Sequence, residues 1–408
     1  MPVGSPFHPR THALCESLNY REWSGYYAVS AYEASHEHEY NAIRNGSALI
    51  DISPLFKYLL VGRDATRLVN RIITRDATKM QVDQVVYTTW CDERGKVIDD
   101  GTVTRLEEDV YRWTAADASL RWFRQNAHGL DVRIDDISES YAALAVQGPT
   151  SARLLRAVSD VDLSTLKYFR VGRGLIAGVP VDISRTGYTG DLGYELWIPK
   201  DGALRVWDRL VDVGQAFGAR PAGMLALDLA RVEAGLLLID VDFMSVRKAL
   251  IDGQTYSPFE MGLERLVHLD KAPFVGQRAL AAERLAPPTK RIVGLAIDWD
   301  DIERTYGRYG LSPQVSPIAS RTHVPVFSDG VQVGKATTTA WSPTMKRMIA
   351  IATVSASHAP VGSAVEIELT VEAVRHHVAA TVVAMPFFNP PRKVAQPFYP
   401  LESSVTAP

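Results

Sequence analysis

The glycine-rich run S-R-T-G-Y-T-G-D-L-G-Y-E-L, from Ser184 to Leu196, sets the tightest structural limits in this sequence. Apolar and polar residues alternate from Val179 to Ser184, and the alternation resumes after Gly193, which predicts two strands that each bury one face. The glycines between them can take a positive φ or let a backbone or a flat ligand approach closely. We therefore expect a hairpin whose loop lies against another part of the molecule or against a ligand.

Glu195 is the anomalous residue of this run, because it stands in a strand pattern beside Tyr194, Leu196 and Trp197. A buried carboxylate without a partner is energetically costly. Glu195 therefore either faces solvent in a plain glycine-rich hairpin or meets a hydrogen-bond donor. A phosphate-binding loop is excluded, since no Gly-Lys-Ser/Thr and no helix start follow the glycines.

The charge balance and the cysteines limit the class of protein. Lys and Arg number 44 against 47 acids and form no long run, so no nucleic-acid partner is expected. No window approaches the ~18 uninterrupted apolar residues of a membrane span, and the N-terminus lacks the apolar core of a signal peptide. Cys15 and Cys91 cannot build a disulfide framework, which favours a cytoplasmic location.

Two adjacent aspartates interrupt a strand pattern that runs from Val97 to Leu106. Aspartate is disfavoured in strands, so Asp99 and Asp100 need an explanation. Either Asp100 and Gly101 form a turn or bulge, or one carboxylate is held for hydrogen bonding or proton transfer. The residues alone leave both possibilities open.

Two predicted helices carry charged residues of uncertain role. In the H-E-H-E segment that starts at His36, side chains two residues apart diverge on a helix, so no metal site is expected. In a later helix, Asp228 and Arg231 lie three residues apart and are expected to pair. Such a pair is more often structural than catalytic.

The stretch Ala286-Pro287-Pro288-Thr289 is the best linker candidate, because the character of the chain changes after it. Short strand patterns separated by S-D-G, S-P-T and P-V-G turns then predict an all-β barrel or sandwich. At 408 residues the chain exceeds one ordinary core. We therefore divide it into residues 1–288, with an N-terminal arm over about 1–30, residues 289–390, and a tail, 391–408.

Several motifs together resemble the glycine cleavage T-protein family, which includes aminomethyltransferases and tetrahydrofolate-dependent demethylases. S-R-T-G-Y-T-G-D-L-G-Y-E-L is similar to the family's central motif, and A-V-Q-G-P, A-R-V-E-A-G-L, F-V-G-Q-R-A-L and P-F-F-N-P-P-R-K support the resemblance. It implies an α+β fold: a three-lobed cloverleaf with a folate-binding α/β module of two interlocked lobes and a C-terminal all-β barrel. It also implies that tetrahydrofolate binds in a central channel.

The same resemblance implies roles for individual residues. Glu195 is expected to bind the pterin ring, and Asp100 to position the reactive amine and relay a proton. Tyr188 is expected to line the folate pocket, and we regard Tyr188 and Tyr87 as candidate acids for the leaving group. The other residues expected to bind folate are Tyr87, Arg231 and Trp113.

The sequence departs from the family pattern at four places. Pro54, Leu227 and Ala115 replace a usual histidine, arginine and asparagine, and a tryptophan is absent near Arg265. We therefore expect a one-carbon (methyl or methylene) transferase that acts on a small methylated or aminomethyl donor. The alternatives are an authentic aminomethyltransferase of glycine cleavage, which also docks a lipoyl carrier protein, and a non-catalytic folate-binding accessory protein.

Overall fold

The computed structural model describes residues 1–286 and 288–397, so Pro287 of the predicted linker and residues 398–408 of the predicted tail lie outside the description. The α-helices of the described ranges are α1 His8–Leu14, α2 Glu37–Asn45, α3 Ala65–Ile72, α4 Leu120–Asn126, α5 Ser151–Val158, α6 Ala203–Gly214, α7 Met224–Glu233, α8 Gln277–Arg284 and α9 Trp299–Gly307. None of these helices is long and apolar enough to cross a lipid bilayer.

The strands of the described ranges are β1 Asn19–Trp23, β2 Tyr26–Ala31, β3 Ser47–Asp51, β4 Phe56–Val61, β5 Gln84–Cys91, β6 Val97–Glu107, β7 Val110–Ala115, β8 Arg133–Asp136, β9 Tyr141–Gln147, β10 Val171–Ile176, β11 Val179–Ser184, β12 Gly193–Pro199, β13 Ala219–Pro221, β14 Lys290–Ile297, β15 Val324–Ser328, β16 Val331–Ser342, β17 Arg347–Ser355, β18 Ala364–Val371 and β19 Val374–Val383. The first two form a separate hairpin, and the others build two open sheets and a barrel.

The first lobe is built on a six-stranded sheet of order β10-β11-β12-β9-β3-β13. The predicted hairpin is present as β11 and β12, which pair antiparallel with Ser184 opposite Glu195. One face of the sheet packs on α5 and α6 around Leu155 and Trp207. The opposite face, which carries Trp197, belongs to a second core that includes residues of α2 and α7.

The second lobe is a five-stranded antiparallel sheet of order β5-β6-β7-β4-β8. One face packs on α3 and α4 around the fully buried Trp90, Trp113 and Phe123. Side chains alternate across each strand, and on the other face Arg112 of β7 reaches Trp197 of β12. The two sheets therefore turn one face toward each other, and the space between them belongs to both lobes.

The barrel is the third unit. Its six strands close in the order β14-β17-β16-β15-β18-β19 around small and β-branched side chains such as Val326, Ala350 and Val354. This confirms the prediction of an α+β cloverleaf with a C-terminal all-β barrel. Helix α9 interrupts the strands and was not predicted, because its charged sequence offers few buried apolar positions, chiefly Ile302 and Tyr306.

Buried carboxylates join the barrel to the first lobe. Glu233 of α7 is fully buried and accepts hydrogen bonds from Arg44 Nε at 2.9 Å and from Ser342 Oγ of β16 at 2.5 Å. Asp242 accepts from Thr337 Oγ1 and Thr338 Oγ1, also on β16, at 2.7 and 2.8 Å. Because a buried charge requires partners, these bonds fix the barrel against the lobe.

Strand β6 decides between the two interpretations of the adjacent aspartates. It continues through both residues, with Asp100 opposite Thr89 and Gly101 opposite Ala115. The possibility that Asp100 and Gly101 form a turn or bulge is therefore wrong. The glycine is needed for close packing, because a Cβ at this position would meet the Thr114 carbonyl oxygen at 2.1 Å.

Candidate functional site

The glycine-rich loop between β11 and β12 is organised by Gln147 of β9. Its side-chain amide donates to the carbonyl oxygens of Thr186 and Tyr194 at 3.2 and 3.1 Å. A Cβ at Gly187 or Gly193 would meet this amide at 2.0 or 2.2 Å. At these two positions the loop therefore lies against another part of the molecule and not against a ligand, because a protein side chain fills the space.

Glu195 presents a carboxylate to the space between the lobes, on the same face of β12 as Trp197. The side chain is partly buried, and its Oε2 accepts a hydrogen bond from Thr186 Oγ1 at 2.5 Å. Oε1 has no hydrogen-bond partner among the described residues. Burial raises the pKa of Glu195, whereas Thr186 and Arg112 oppose the rise. The site thus holds an internal acceptor with one oxygen open to a ligand.

Asp100 occupies the facing side of the second lobe. Its Oδ2 accepts a hydrogen bond from Tyr87 Oη at 2.7 Å, while no other described residue donates to Oδ1. Burial raises the pKa of Asp100 to about 6, although the bond from Tyr87 opposes the rise. A carboxylate that titrates near neutral pH is suited to general acid–base chemistry.

Asp99 points the opposite way, into the core beside Trp90, and is fully buried. Its Oδ1 accepts from the backbone N–H of Asp100 at 2.8 Å, and its Oδ2 accepts from that of Asp117 at 3.0 Å. Burial and then the charge of Asp100 raise the pKa of Asp99 well above its usual range. Asp99 therefore fixes the backbone that carries Asp100 and does not face the space between the lobes.

Tyr188 and Tyr87 supply phenol groups near Asp100. Tyr188 Oη donates to the carbonyl oxygen of Leu237. Burial raises the pKa of Tyr188, and Asp100 raises it further while Arg231 opposes. Burial and then Asp100 likewise raise the pKa of Tyr87. Both phenols therefore stay protonated at neutral pH and act as hydrogen-bond donors.

Arg231 is fully buried and its charge is already paired. It donates to the Asp242 carboxylate through Nη1 and to Thr338 Oγ1 through Nη2 at 3.1 Å. The predicted partner Asp228 is present but lies 3.9 Å from Nε, and Arg321 holds that carboxylate at 2.5 Å. The structure therefore places Arg231 at the junction with the barrel.

Trp113 lies on the far side of the second-lobe sheet. Its ring centroid is 4.4 Å from that of Phe123 and 5.1 Å from that of Trp90, and the side chain is fully buried. It pairs with Val103, which alternation places on the face opposite Asp100. The structure brings Asp100, Tyr87 and Tyr188 together and leaves Trp113 apart from them.

Two apolar residues adjoin the strand ends next to Asp100. Ala116 follows Ala115, which pairs with Gly101, and Leu55 precedes Phe56, which pairs with Ala115. Both side chains are partly buried and pack, together with Tyr188 and Trp23, against the core next to this space. The part of the second lobe that carries Asp100 therefore also carries apolar side chains.

Three cations grouped around Arg265 have no carboxylate partner among the described residues. Among the described residues, no acid lies within 4.0 Å of the charged nitrogens of Arg75, Arg265 or Lys393. Burial lowers the pKa of both Arg75 and Lys393, and Arg265 lowers each further, as expected of neighbouring cations. Burial raises the pKa of Tyr168, Arg265 opposes, and Glu195 adds to the rise. Tyr168 therefore lies within electrostatic reach of both Glu195 and this cationic cluster.

Sequence reasoning missed Arg112, Gln147 and Tyr168. The sequence signal for Arg112 was a charged residue between Tyr111 and Trp113, inside an otherwise apolar strand pattern. Gln147 belongs to the motif A-V-Q-G-P, which indicated the family but no role for this side chain, and Tyr168 carried no comparable signal. Both side chains contact or influence residues that are distant in the chain.

Comparison with known proteins identifies the family of the chain. The model of the GCVT N-terminal domain matches residues 7–271, and that of the glycine cleavage T-protein C-terminal barrel domain matches residues 290–389. An aminomethyltransferase of Moorella thermoacetica is 34% identical over 359 residues, which are 87% of this chain and 90% of the relative. A trimethylamine-oxide aldolase of Ruegeria pomeroyi is 34% identical over 398 residues, which are 94% of this chain but 47% of that protein.

The solved structures include a protein of the same fold. The glycine cleavage system aminomethyltransferase T from Bartonella henselae gives a TM-score of 0.79 at 21% identity, over 95% of this chain and 99% of that one. At this identity the likeness concerns the fold, whereas the family models and the curated relatives extend it to the sequence. The chain therefore belongs to the glycine cleavage T-protein family.

Proposed function

We propose that this protein transfers a one-carbon unit from a small methylated donor to tetrahydrofolate. The observation that carries the proposal is the pair of carboxylates Glu195 and Asp100, which stand on facing sides of the two lobes with one oxygen each free of other described residues. These residues fit folate, because the N–H donors of a pterin match an open carboxylate oxygen. The carboxylates of a folate tail match the unpaired cations around Arg265.

Each proposed role follows from a contact of the side chain. Bound tetrahydrofolate would supply the amine nitrogen that accepts the one-carbon unit. Glu195 would hold the pterin ring through Oε1. Tyr87 fixes Oδ2 of Asp100, which leaves Oδ1 to orient the amine and to take its proton.

Tyr188 is the proposed acid for the leaving group. Its phenol stays protonated because burial raises its pKa, and it would deliver the proton when Oη–H turns from the carbonyl oxygen of Leu237 to the leaving group. Its electrostatic contact with Asp100, and its packing against the same core as Leu55 and Ala116, support a role on the donor side of the site. Arg231 would act indirectly, by holding Asp242 and the barrel in place.

The nature of the donor rests on the departures from the family pattern. Pro54 and Leu227 put apolar side chains where polar ones are usual, and Leu55 and Ala116 at the strand ends near Asp100 are also apolar. The relative from Ruegeria pomeroyi is named for a methylated amine oxide, which supports a small methylated donor. The relative from Moorella thermoacetica is named an aminomethyltransferase, which keeps glycine cleavage with a lipoyl carrier protein as the second candidate.

We also propose that the protein works in the cytoplasm. Cys15 and Cys91 are both free and buried. Unpaired thiols of this kind are typical of reducing compartments. Expression as a fusion to a fluorescent protein, followed by fractionation, would test the location.

A turnover assay distinguishes the candidates. Purified protein is incubated with tetrahydrofolate and a panel of methylated amines, phenols and sulfonium compounds, and methyl- or methylene-tetrahydrofolate is measured by mass spectrometry. Product with a member of the panel supports the proposal. Activity that requires the three partner proteins of glycine cleavage favours the second candidate, and tight folate binding without turnover under either condition favours the accessory protein.

The pH dependence of kcat/KM is expected to show an acid limb set by Asp100. The pKa of this carboxyl is raised to about 6, and the carboxylate is the form that accepts a proton. The value of kcat/KM should therefore be constant above that pH and fall about tenfold per pH unit below it. Tyr87→Phe removes a hydrogen bond that lowers the pKa of Asp100, so the limb should move to higher pH. A limb that stays in place in this variant would contradict the assignment.

Reversing the charge of Arg265 is expected to weaken tetrahydrofolate binding. Arg265→Glu places a carboxylate beside Arg75 and Lys393 and removes a cation available to the folate tail. An increase in Kd of roughly three- to tenfold is expected, and it should shrink at high ionic strength because exposed charges are screened. Arg278→Glu, on the exposed side of α8, is the matched control. Equal Kd values for the two variants would show that these cations do not bind the folate tail.

A further inference from the structure

Arg112 occupies a position where an arginine is energetically costly. It extends from β7 into the first lobe, where 3% of the side chain is exposed. Its Nη1 donates to Asp182 Oδ2 at 2.6 Å, and its guanidinium lies 4.5 Å from the centroid of the Trp197 ring. Its Nε and Nη2 are buried without a hydrogen-bond partner. Unpaired buried donors cost free energy, and an apolar side chain often fills such a place at lower cost. The charge itself therefore needs an explanation.

Glu195 lies in the first-lobe sheet close to the residues that Arg112 contacts. Asp182 stands opposite Trp197, and Ser184 stands opposite Glu195. Residues two apart on a strand share a face and lie roughly 6.5 to 7 Å from each other along the strand. Arg112 contacts Asp182 and Trp197, which face each other across β11 and β12. Its charge therefore lies two strand positions away from the carboxylate of Glu195.

Glu195 lacks a direct cationic partner. Thr186 is its hydrogen-bond donor, and no lysine or arginine of the described ranges lies within 4.0 Å of the carboxylate. The titratable and charged groups that face Glu195 and Arg112 from the surrounding elements are Lys57, Tyr141, Tyr168, Arg173 and Asp182. Arg173 is 45% exposed and shares Asp182 with Arg112. Lys57 is buried, but its ammonium group donates to the carbonyl oxygens of Ser53 and Leu55. Arg112 is therefore the buried cation that acts on Glu195.

We propose that Arg112 is a positioning residue that keeps Glu195 in its carboxylate form for the N–H donors of the pterin. The inference rests on the proposed folate function. A protonated Glu195 would present an O–H donor to other donors, whereas the carboxylate only accepts. Arginine remains charged across the physiological range, and Trp197 and Asp182 hold this one within reach of Glu195 at every such pH.

The dissociation constant of tetrahydrofolate as a function of pH tests the proposal. The wild-type Kd should be flat near neutral pH and rise about tenfold per pH unit once Glu195 becomes protonated. Arg112→Met should raise the pH at which Kd begins to increase by about one unit. Arg112→Lys should return this pH most of the way to the wild-type value. Arg173→Met removes the exposed partner of Asp182 and should leave the curve unchanged.

Asp182→Asn provides a test in the opposite direction. It keeps the charge of Arg112 and removes the carboxylate that offsets this charge. The pH at which Kd begins to increase should therefore be lower than in the wild type. This variant also covers the case in which Arg112→Met does not fold, which circular dichroism would reveal. Curves identical to the wild type in the folded variants would overturn the role of Arg112. Absence of folate binding by the wild-type protein at every pH would instead contradict the proposed function.

Discussion

Asp100→Asn is expected to lower kcat by about 10²- to 10⁴-fold, the usual contribution of a general acid–base residue. Asparagine has the same shape and can still accept the hydrogen bond from Tyr87, but it cannot take a proton. The Kd of tetrahydrofolate should therefore stay within about threefold of the wild type. Single-turnover rates with the best donor of the panel, together with a binding titration, measure the two effects separately.

Asp117→Asn is the matched control for this experiment. Asp117 is close in the fold, since its backbone N–H bonds to Asp99, but its side chain is 31% exposed and pairs with Lys248. The control should keep kcat near the wild-type value. Turnover by Asp100→Asn at the rate of this control would show that another group handles the proton.

Glu195→Gln is expected to weaken tetrahydrofolate binding by about 100-fold or more. The amide can accept at one atom, but its NH₂ group turns a donor toward a ligand that also donates. Loss of one hydrogen bond to a charged group, at about 1.5–3 kcal/mol, corresponds to roughly 10- to 150-fold in Kd, and donor–donor repulsion adds to it. Anaerobic calorimetry or quenching of tryptophan fluorescence would measure the change.

The rate at saturating tetrahydrofolate separates the two carboxylates. Glu195→Gln should recover much of its turnover when folate saturates it, because Asp100 remains intact. Glu108→Gln, on the exposed turn between β6 and β7, serves as the control and should bind folate like the wild type. An unchanged Kd in Glu195→Gln would remove Glu195 from the pterin site.

Local patterns made part of the fold predictable. Alternation of apolar residues predicted the hairpin of β11 and β12 and the strands of the barrel, because period two depends on near neighbours along the chain. Glu195 and Asp100 stood out for a related reason, since each broke a strand pattern that was otherwise apolar. Both now lie in the space between the lobes, on strands that the sequence had predicted.

The parts that escaped prediction depend on contacts between distant segments. Gln147 fills the space left by two glycines of the loop, and nothing near it in the sequence points to that loop. Arg231 pairs with Asp242 rather than closely with Asp228, because tertiary structure offers a better partner than helical spacing. Trp113 could not be assigned to a face of its sheet until the register with Val103 was known.

The carboxylates of Glu233 and Asp242 limit which barrel domains from related proteins could replace the barrel of this protein. Both side chains lie in the first lobe, yet each accepts hydrogen bonds from hydroxyl groups of β16. A recombinant joined near residue 288 that imported a barrel without Thr337, Thr338 and Ser342 would leave two buried acids short of donors. A recombinant must therefore take these hydroxyl groups and acids from the same parent. The boundary between the lobe and the barrel is a poor crossover point, although its sequence is typical of a linker.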